Sequence, residues 1–264
     1  MEKGHSDNLD KEHVASCFQA SAATYEESAI VQKEISRQLI AILQRFTHVD
    51  SSRVLEIGCC TGNLTEILSE SVPIDTLFIN DLVADFCTLT EKRIAKQVGR
   101  VQILTGDIER ALLPKNLDLV ISSSTFQWMA DLPVLLGNIA TALKDGSHLA
   151  FSIFSPGTMK EISALTGRGL RYHTNEELAT MLTDHFQVIS MHSESRCLFF
   201  PSVRAVLRHI RQTGVGGVDR ERWNLGQLKE FERRYVEQFS SDDGLPLTYI
   251  STFVIAEKKR KRCV

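Results

Sequence analysis

The sequence predicts an α/β fold with a mostly parallel sheet, and two observations support this. Between residues 53 and 154, short apolar runs of strand length alternate with amphipathic segments of helical length. Such alternation builds right-handed β–α–β units, whose strands all end at the same edge of the sheet. Hydrophobic residues make up 43% of the 264 residues, so the chain can bury a large core without disulfides.

The elements follow in order along the chain. A polar, disordered segment is expected at residues 1–12, and one long amphipathic helix is predicted over residues 14–46. The alternating region comes next. Its predicted strands are 53–58, 76–80, 101–104, 117–122 and 148–154, and its predicted helices are 63–70, 84–98 and 132–143.

The second half of the chain is less regular. Residues 155–175 contain several glycines and a proline, which predict an insertion of loops. Asn175 is expected to cap a helix at 176–182. Strands are predicted at 187–191, 197–200 and 248–256, a helix at 202–212, and a solvated basic tail at 258–262.

These elements predict a single domain in three parts. Residues 1–50 form an N-terminal helical cap, and residues 51–155 form a ligand-binding core. Residues 156–264 supply the C-terminal half of the fold, with an insertion on the substrate side.

Composition and charge argue against several classes of protein. The net charge of −3 argues against a general nucleic-acid binder, which is usually basic. The six cysteines show no C-x-x-C spacing, so we expect no metal site. Residues 1–11 are charged and lack the apolar region of a secretory leader, and no apolar stretch reaches membrane-spanning length, so we expect a cytoplasmic protein that contacts no membrane.

The first chemical signal is the turn after the first predicted strand. Glu56 ends the strand, and Gly58 and Gly62 flank a turn of small residues that opens a helix. Small residues let the backbone approach a ligand closely. A diphosphate-binding G-x-G-x-x-G fingerprint needs glycine at positions 58, 60 and 63, whereas this chain has Cys60 and Asn63, which weakens that interpretation.

Acidic residues end the next two strands. Asp81 stands where a carboxylate accepts hydrogen bonds from a ribose. Asp107 follows the third strand, where it can accept from an exocyclic amine while Ile108 packs on a base. Each motif alone is weak, but together and in this order they indicate a nucleoside site.

Residues 54–62 resemble the first motif of the class I S-adenosylmethionine-dependent methyltransferases, with Cys60 in place of the usual glycine. The resemblance implies a Rossmann-like, mostly parallel seven-stranded sheet with helices on both faces and an added helical cap. It also implies S-adenosylmethionine as the cofactor. By this resemblance, the cofactor-binding residues are Glu56, Gly58, Cys59, Cys60, Thr61 and Gly62 near the methionine part, Asp81 and Leu82 at the ribose, Asp107 and Ile108 at the adenine, and Ser123 beside the methyl donor.

A narrower resemblance covers most of the chain. Phe18, Ala22, Tyr25 and Gln32 are similar to the N-terminal pattern of the malonyl-acyl-carrier-protein methyltransferases of biotin synthesis. Further similar segments are 107–109, 118–124, 127–128, 150–161 and 206–215. The resemblance implies methylation of the free malonyl carboxylate on an acyl carrier protein. Gln127 and Trp128 follow the fourth strand, so we expect them at the reacting end, and Tyr25 is a further candidate for it; Tyr25 and Trp128 could equally be core residues. We expect a monomer.

An anionic acceptor calls for cations. Arginine suits this role because its guanidinium pairs with a carboxylate at two points. The candidates for substrate or carrier docking are Arg168 and Arg171 in the insertion, and Arg204, Arg208 and Arg211 on one face of a predicted helix, which could equally be a solvated face. Three alternatives remain open: a carboxyl methyltransferase of another small acid, a nicotinamide-dependent oxidoreductase, and a non-catalytic methyltransferase-like partner protein.

Overall fold

The computed structural model describes residues 10–46, 52–215 and 223–260. Within these ranges, none of the helices combines the length and the apolar character that crossing a bilayer requires. The chain divides into two compact units. The larger comprises Ile30–Ile153, His173–Ser193 and Thr252–Val264, and the smaller comprises Met1–Ala29, Phe154–Tyr172 and Glu194–Ser251. The three consecutive parts predicted from the sequence, with boundaries at residues 50 and 155, stay a prediction.

Seven strands form one sheet in the order β3-β2-β1-β4-β5-β7-β6. Neighbours among the first five are paired in parallel, which confirms the predicted fold class. The strands are β1 (Arg53–Ile57), β2 (Thr76–Asp81), β3 (Arg100–Thr105), β4 (Leu117–Ser123), β5 (Leu143–Phe154), β6 (Phe186–Phe200) and β7 (Leu245–Lys258).

The register brings the ends of the central strands level with one another. Ile57 of β1 lies opposite Asn80 of β2 and Ser122 of β4. Asp81 likewise lies opposite Thr105 of β3. The loops that leave these four strands therefore share one edge of the sheet, where ligands of parallel sheets bind.

The larger unit holds α2 (Ile30–Phe46), α3 (Asn63–Ser71), α4 (Ala84–Ile94), α5 (Leu132–Ala142) and α7 (Asn175–Thr183). The strands β1 and β4 are buried almost throughout, as expected for a parallel sheet covered on both faces. Phe126 and Phe151 pack with ring centroids 5.0 Å apart in this core. Helix α2 packs on α3 and on β4.

The smaller unit holds α1 (Lys11–Ser28), α6 (Lys160–Thr166), α8 (Val203–Gln212) and α9 (Leu225–Phe239). Helix α8 packs on both α1 and α9, and α6 packs on α9. His209 and Tyr249 are buried and share a hydrogen bond of 2.9 Å between Nε2 and the hydroxyl. These contacts give the unit its own core.

The N-terminal helical prediction is wrong in one respect. The 14–46 segment forms two helices, because Ala29 leaves the helical conformation with ψ near 47°. The first helix already begins at Lys11, where the Asp10 side chain accepts a hydrogen bond from the His13 amide. Residues 11 and 12 are therefore helical, and the rest of the predicted polar segment, residues 1–9, lies outside the described residues.

Several predictions for the second half also need correction. Helix α6 lies in the segment predicted as loops, and α9 was not predicted. Thr174, not Asn175, caps α7, through a reciprocal pair of hydrogen bonds with Glu177. The two strands predicted at 187–191 and 197–200 are one continuous strand, β6.

Two more boundaries differ from prediction. Helix α4 ends at Ile94, shorter than the predicted 84–98. Lys258 belongs to β7 instead of a solvated tail, because its ammonium lies 3.2 Å from the Asp145 carboxylate and 2.6 Å from the Leu143 carbonyl oxygen. Residues 261 and 262 of the predicted basic tail lie outside the described residues.

Candidate cofactor site and the predicted acceptor residues

The turn after β1 contains three residues with positive φ. These are Gly58 at 76°, Cys60 at 45° and Gly62 at 85°. A Cβ atom on Gly58 would lie 2.2 Å from the Thr125 hydroxyl oxygen, so no side chain fits there. Gly62 then begins α3 as its N-cap. The turn therefore needs glycine at positions 58 and 62, whereas Cys60 holds a conformation that L-residues rarely adopt.

Backbone hydrogen bonds hold this turn against the end of β2. The amides of Gly58 and Cys59 both donate to the Asn80 carbonyl oxygen, at 2.8 and 2.9 Å. The Asn80 side chain donates to the carbonyl oxygens of Leu104 and Gly106. Asn80 thus links the loops after β1 and β3, a role that the sequence pattern did not reveal because asparagine is common near strand ends.

Asp81 joins the same turn through its side chain. Its Oδ2 accepts the Cys60 amide at 2.8 Å, and its Oδ1 accepts the Val83 amide at 2.9 Å. Burial raises the pKa of Asp81 to about 6, although these backbone hydrogen bonds oppose the rise. Each oxygen accepts one of these bonds, which leaves lone pairs for a ligand.

Glu56 is fully buried, and neither oxygen of its carboxyl group makes a well-formed hydrogen bond with the described part of the chain. Burial, reinforced by the nearby Asp81 and Cys87, raises its pKa to about 8 against an opposing effect of the Thr65 hydroxyl. A buried carboxyl group without hydrogen bonds costs folding free energy. Such groups often mark a place where a ligand supplies the missing partner.

The loop after β3 carries the predicted base-binding residues. Ile108 is buried, and the Asp107 Oδ1 accepts the Glu109 amide at 3.1 Å. The Arg110 Nε lies 3.8 Å from the other oxygen of Asp107. Leu82 is half-buried at the start of the loop after β2.

The end of β4 carries Ser123, followed by a single 3-10 turn at Phe126–Trp128. Gln127 and Trp128 are both buried, and the side-chain Nε2 of Gln127 donates to the Ser124 carbonyl oxygen at 2.6 Å. The Glu109 carboxylate accepts the amides of Ala130 and Asp131, which ties this turn to the loop after β3.

The remaining predicted residues belong to the smaller unit. Tyr25 is largely buried on α1, with its ring 6.4 Å from that of Phe18. Arg168 and Arg171 lie in the loop after α6. Arg204, Arg208 and Arg211 are exposed on α8, and the Arg204 Nε lies 2.9 Å from a Glu232 carboxylate oxygen of α9.

All eleven predicted cofactor residues therefore lie in the larger unit, on the loops that leave β1, β2, β3 and β4 or at the ends of those strands. Gln127 and Trp128 share that unit, whereas Tyr25 and the five arginines belong to the smaller one. The functional role of each residue stays a prediction. Among the described residues, no group of three or more metal-ligating side chains comes together.

The chain is similar to known methyltransferases in sequence and in fold. Residues 55–151 match a family model described as a methyltransferase domain. A malonyl-[acyl-carrier protein] O-methyltransferase of Chlorobium phaeovibrioides is 37% identical over 95% of this chain and 97% of its own. The enzyme of the same name from Haemophilus ducreyi is 36% identical over 95% and 98%. The structure of the N-methyltransferase NodS from Bradyrhizobium japonicum, in complex with S-adenosylhomocysteine, shares the fold with a TM-score of 0.53 at 14% identity, covering 90% of this chain and 99% of NodS.

The strand order and the methyltransferase domain define a class I methyltransferase, an enzyme class that uses S-adenosylmethionine. The sequence identity to relatives that match almost the whole chain narrows the family assignment. The chain belongs to the malonyl-[acyl-carrier protein] O-methyltransferase family.

Proposed function

We propose that the protein transfers the methyl group of S-adenosylmethionine to the free carboxylate of a malonyl thioester on an acyl carrier protein. The product is the methyl ester used in biotin synthesis. The acceptor is supported by the names of relatives that match almost the whole chain. The cofactor is supported by one observation above all, the buried and unpartnered Glu56 carboxyl group beside the glycine turn.

The residues of this edge suit the cofactor chemically. The methionine part of S-adenosylmethionine carries an ammonium group, and its sulfur carries a positive charge. The ammonium would donate hydrogen bonds to the unpartnered Glu56 carboxyl group, and the positive charge would offset the negative charge of the ionised carboxylate. The side-chain Oε1 of Gln32 on α2 is also buried without a hydrogen-bond partner among the described residues, and it can accept from such a donor. Asp81 would hold the ribose hydroxyls with its remaining lone pairs, with Leu82 beside it. Asp107 and Ile108 would contact the adenine.

The cofactor supplies an electron-poor methyl group. The acceptor needs no activation, because a carboxylate is already ionised at neutral pH. A general base has no proton to remove in this reaction. The work of the protein is to align the two reactants and to exclude water, which can contribute up to about 11 kcal/mol. Gln127 and Trp128, both buried at the end of β4, are proposed to border the reacting atoms.

The smaller unit is proposed to receive the carrier protein. Arg208 and Arg211 are exposed on one face of α8, and their guanidinium groups make no hydrogen bond or ion pair with the part of the chain that the structure describes. Arg204 already forms an ion pair with Glu232. Complementary charge speeds the encounter with an acidic partner. Arg168 and Arg171 are further candidates, and Tyr25 is a candidate for the reacting end. The monomeric state and the cytoplasmic location also stay predictions.

The acceptor is tested by comparing initial rates of methyl transfer to malonyl-acyl carrier protein, malonyl-coenzyme A and free malonate. The proposal expects the highest kcat/KM with the carrier protein. A preference for a free acid would favour a carboxyl methyltransferase of small acids. Absence of transfer to every acceptor, together with absence of S-adenosylhomocysteine binding, would favour a non-catalytic partner protein.

A further inference from the structure

Helix α4 binds the glycine turn through two side chains, Thr90 and Arg93. The Thr90 hydroxyl donates a hydrogen bond to the Cys60 carbonyl oxygen at 3.0 Å. Nη1 of Arg93 donates to the next carbonyl oxygen, that of Thr61, at 3.1 Å. Residues three apart lie on the same face of a helix. One face of α4 therefore binds two consecutive carbonyl groups of the turn.

The packing between α4 and the turn is close. A Cβ atom on Gly62 would lie 3.1 Å from the Thr90 hydroxyl oxygen and 3.3 Å from Cδ of Arg93. Nη2 of Arg93 also lies 2.7 Å from a carboxylate oxygen of Glu66 on α3. Thr90 is completely buried, whereas Arg93 is partly exposed. Arg93 thus connects α4 both to the turn and to the helix that follows the turn.

These contacts lie where the backbone is strained. Cys60 has a φ of 45°, in the left-handed region that is disfavoured for an L-residue by about 5- to 30-fold. The peptide group before Cys60 is held through its amide, which donates to Asp81. The peptide group after Cys60 is held through its carbonyl oxygen, which accepts from Thr90. Both peptide groups that set the conformation of Cys60 therefore have a side-chain partner.

Arg93 acts on the same residue from one peptide further along. The Thr61 carbonyl group and the Gly62 amide belong to one planar peptide group. Arg93 binds its oxygen, and its N–H donates to the Cys59 carbonyl oxygen at 2.8 Å. This second bond closes the turn around Cys60, so Arg93 orients the peptide group that closes it.

We propose that Thr90 and Arg93 are positioning residues that hold Cys60 in its left-handed conformation, and that S-adenosylmethionine binds to the turn in this conformation. This inference rests on the proposed placement of the methionine part at the glycine turn. When a ligand binds only one of two conformations, its apparent Kd rises as that conformation becomes less populated. Loss of either donor therefore weakens cofactor binding, although neither side chain needs to touch the cofactor.

A purely structural role for the two side chains would have a different signature. A change in global stability leaves the Kd unaltered as long as the protein stays folded. The proposed role alters the Kd in the folded protein, and it depends on the residue at position 60. Glycine adopts the left-handed conformation without penalty. In the Cys60→Gly background, cofactor affinity should therefore become insensitive to the loss of either donor.

The test measures the Kd of S-adenosylmethionine by isothermal titration with the whole protein. Thr90→Val removes the hydroxyl and keeps the shape of the side chain, and Arg93→Met removes the guanidinium and keeps an unbranched chain. Each variant is made with and without Cys60→Gly, which completes two double-mutant cycles. Thr90→Ser and Arg93→Lys each retain a donor and are the rescue variants.

The matched controls come from the exposed side of the same helix. Thr88→Val removes a hydroxyl that is bonded only to the Ala84 carbonyl oxygen of α4 among the described residues. Lys92→Met removes an exposed cation next to Arg93 in sequence. Thermal melts establish that each variant is folded at the temperature of the titration. Because Arg93 is partly exposed, its variants test the inference even if Thr90→Val does not fold.

We expect Thr90→Val and Arg93→Met each to raise the Kd about 3- to 10-fold, the usual effect of losing one hydrogen bond. In the Cys60→Gly background the same changes should alter the Kd by less than about twofold. The rescue variants and both controls should stay within about twofold of the unmodified protein.

Two results would overturn the inference. One is an unchanged Kd in Arg93→Met and in a folded Thr90→Val. The other is an increase in Kd that is equally large with and without Cys60→Gly, since the side chains would then act independently of the strained residue. Absence of S-adenosylmethionine binding by the unmodified protein would instead refute the proposed function.

Discussion

The backbone amide of Cys60 donates a hydrogen bond of 2.8 Å to Oδ2 of Asp81. This bond joins the glycine turn after β1 to the acidic residue that ends β2. The side chain predicted to hold the ribose therefore also fixes the turn predicted to hold the methionine part. Loss of the Asp81 carboxylate should disturb both regions together.

Asp81→Asn should weaken S-adenosylmethionine binding by about 10- to 100-fold, because an amide nitrogen replaces one of the two accepting oxygens. Isothermal titration measures the Kd. The matched control is Asp118→Asn, since Asp118 also accepts a backbone amide, that of Arg53, but from the opposite end of the sheet. Equal cofactor affinity in Asp81→Asn and the unmodified protein would contradict the assignment.

Cys60→Gly should stabilise the protein. Cys60 has a φ of 45°, and a left-handed conformation costs an L-residue about 1–2 kcal/mol. Part of the relieved strain is offset because glycine has a larger conformational entropy in the unfolded state. The net increase in the free energy of unfolding should be about 0.5–1 kcal/mol. A thermal melt should show a higher Tm for Cys60→Gly than for Cys60→Ala, which keeps the strain. A Tm below that of the alanine variant would show that the turn is unstrained.

Gly58→Ala should be more damaging than Gly106→Ala. Both glycines have positive φ, but only at Gly58 would the new Cβ meet another side chain, that of Thr125. We expect a loss of about 2 kcal/mol or more for Gly58→Ala and about 1 kcal/mol for Gly106→Ala, measured by denaturant unfolding. Similar losses at the two positions would mean that backbone strain alone sets the requirement for glycine.

Cofactor binding should depend on pH through Glu56. Its pKa of about 8 in the free protein means that the group is mostly protonated at pH 7, whereas a cationic ligand favours the ionised form. Affinity should therefore increase as the pH rises from about 6 to 8 and level off above, with a proton released on binding. Titration calorimetry in buffers of different ionisation enthalpy detects that proton. Glu56→Gln should remove most of the dependence, and Glu70→Gln, at an exposed site on α3, should not.

The same group affects stability in the opposite direction. The folded pKa of about 8 lies above the usual 4.5, so the folded state binds more protons between these values. The free energy of unfolding contributed by Glu56 therefore falls as the pH rises through this window. Glu56→Gln should flatten the slope. An unchanged slope would show that Glu56 is ionised in the free protein.

Removing Arg208 and Arg211 together should raise the KM for malonyl-acyl carrier protein by about 3- to 10-fold, as expected for two exposed charges. The KM for malonyl-coenzyme A should not change. Arg233→Ala is the control, because Arg233 is exposed in the same unit but already bound by Glu230 and Glu237. Unchanged KM and salt dependence for the carrier protein would exclude α8 as the docking face.

The sequence predicted the larger unit far better than the smaller one. Strands such as β1 and β4 have a short apolar centre and are bounded by turn residues, so their burial and position can be recognised directly. Helix α9 escaped prediction because its apolar residues are interrupted by many charges, and only Phe231 and Tyr235 are buried. Thr174 escaped as the α7 cap because Asn175 beside it is an equally good cap, and only the hydrogen bond to Glu177 distinguishes them.

The candidate site likewise combines residues that the sequence could predict with residues that it could not. The glycine turn and Asp81 could be predicted because backbone conformation and strand ends leave a mark in the local sequence. The hydrogen bonds from Thr90 and Arg93 to this turn could not, since the helix that carries both residues comes about 30 residues later in the sequence. The unpartnered state of Glu56 likewise depends on what surrounds it, which no local pattern records.

The most direct test of the central claim is the mass of malonyl-acyl carrier protein after incubation with the enzyme and S-adenosylmethionine carrying a trideuterated methyl group. The account predicts a gain of one labelled methyl group, located on the malonyl carboxylate and removed by mild ester hydrolysis. An unchanged mass, or a label that resists ester hydrolysis, would contradict it.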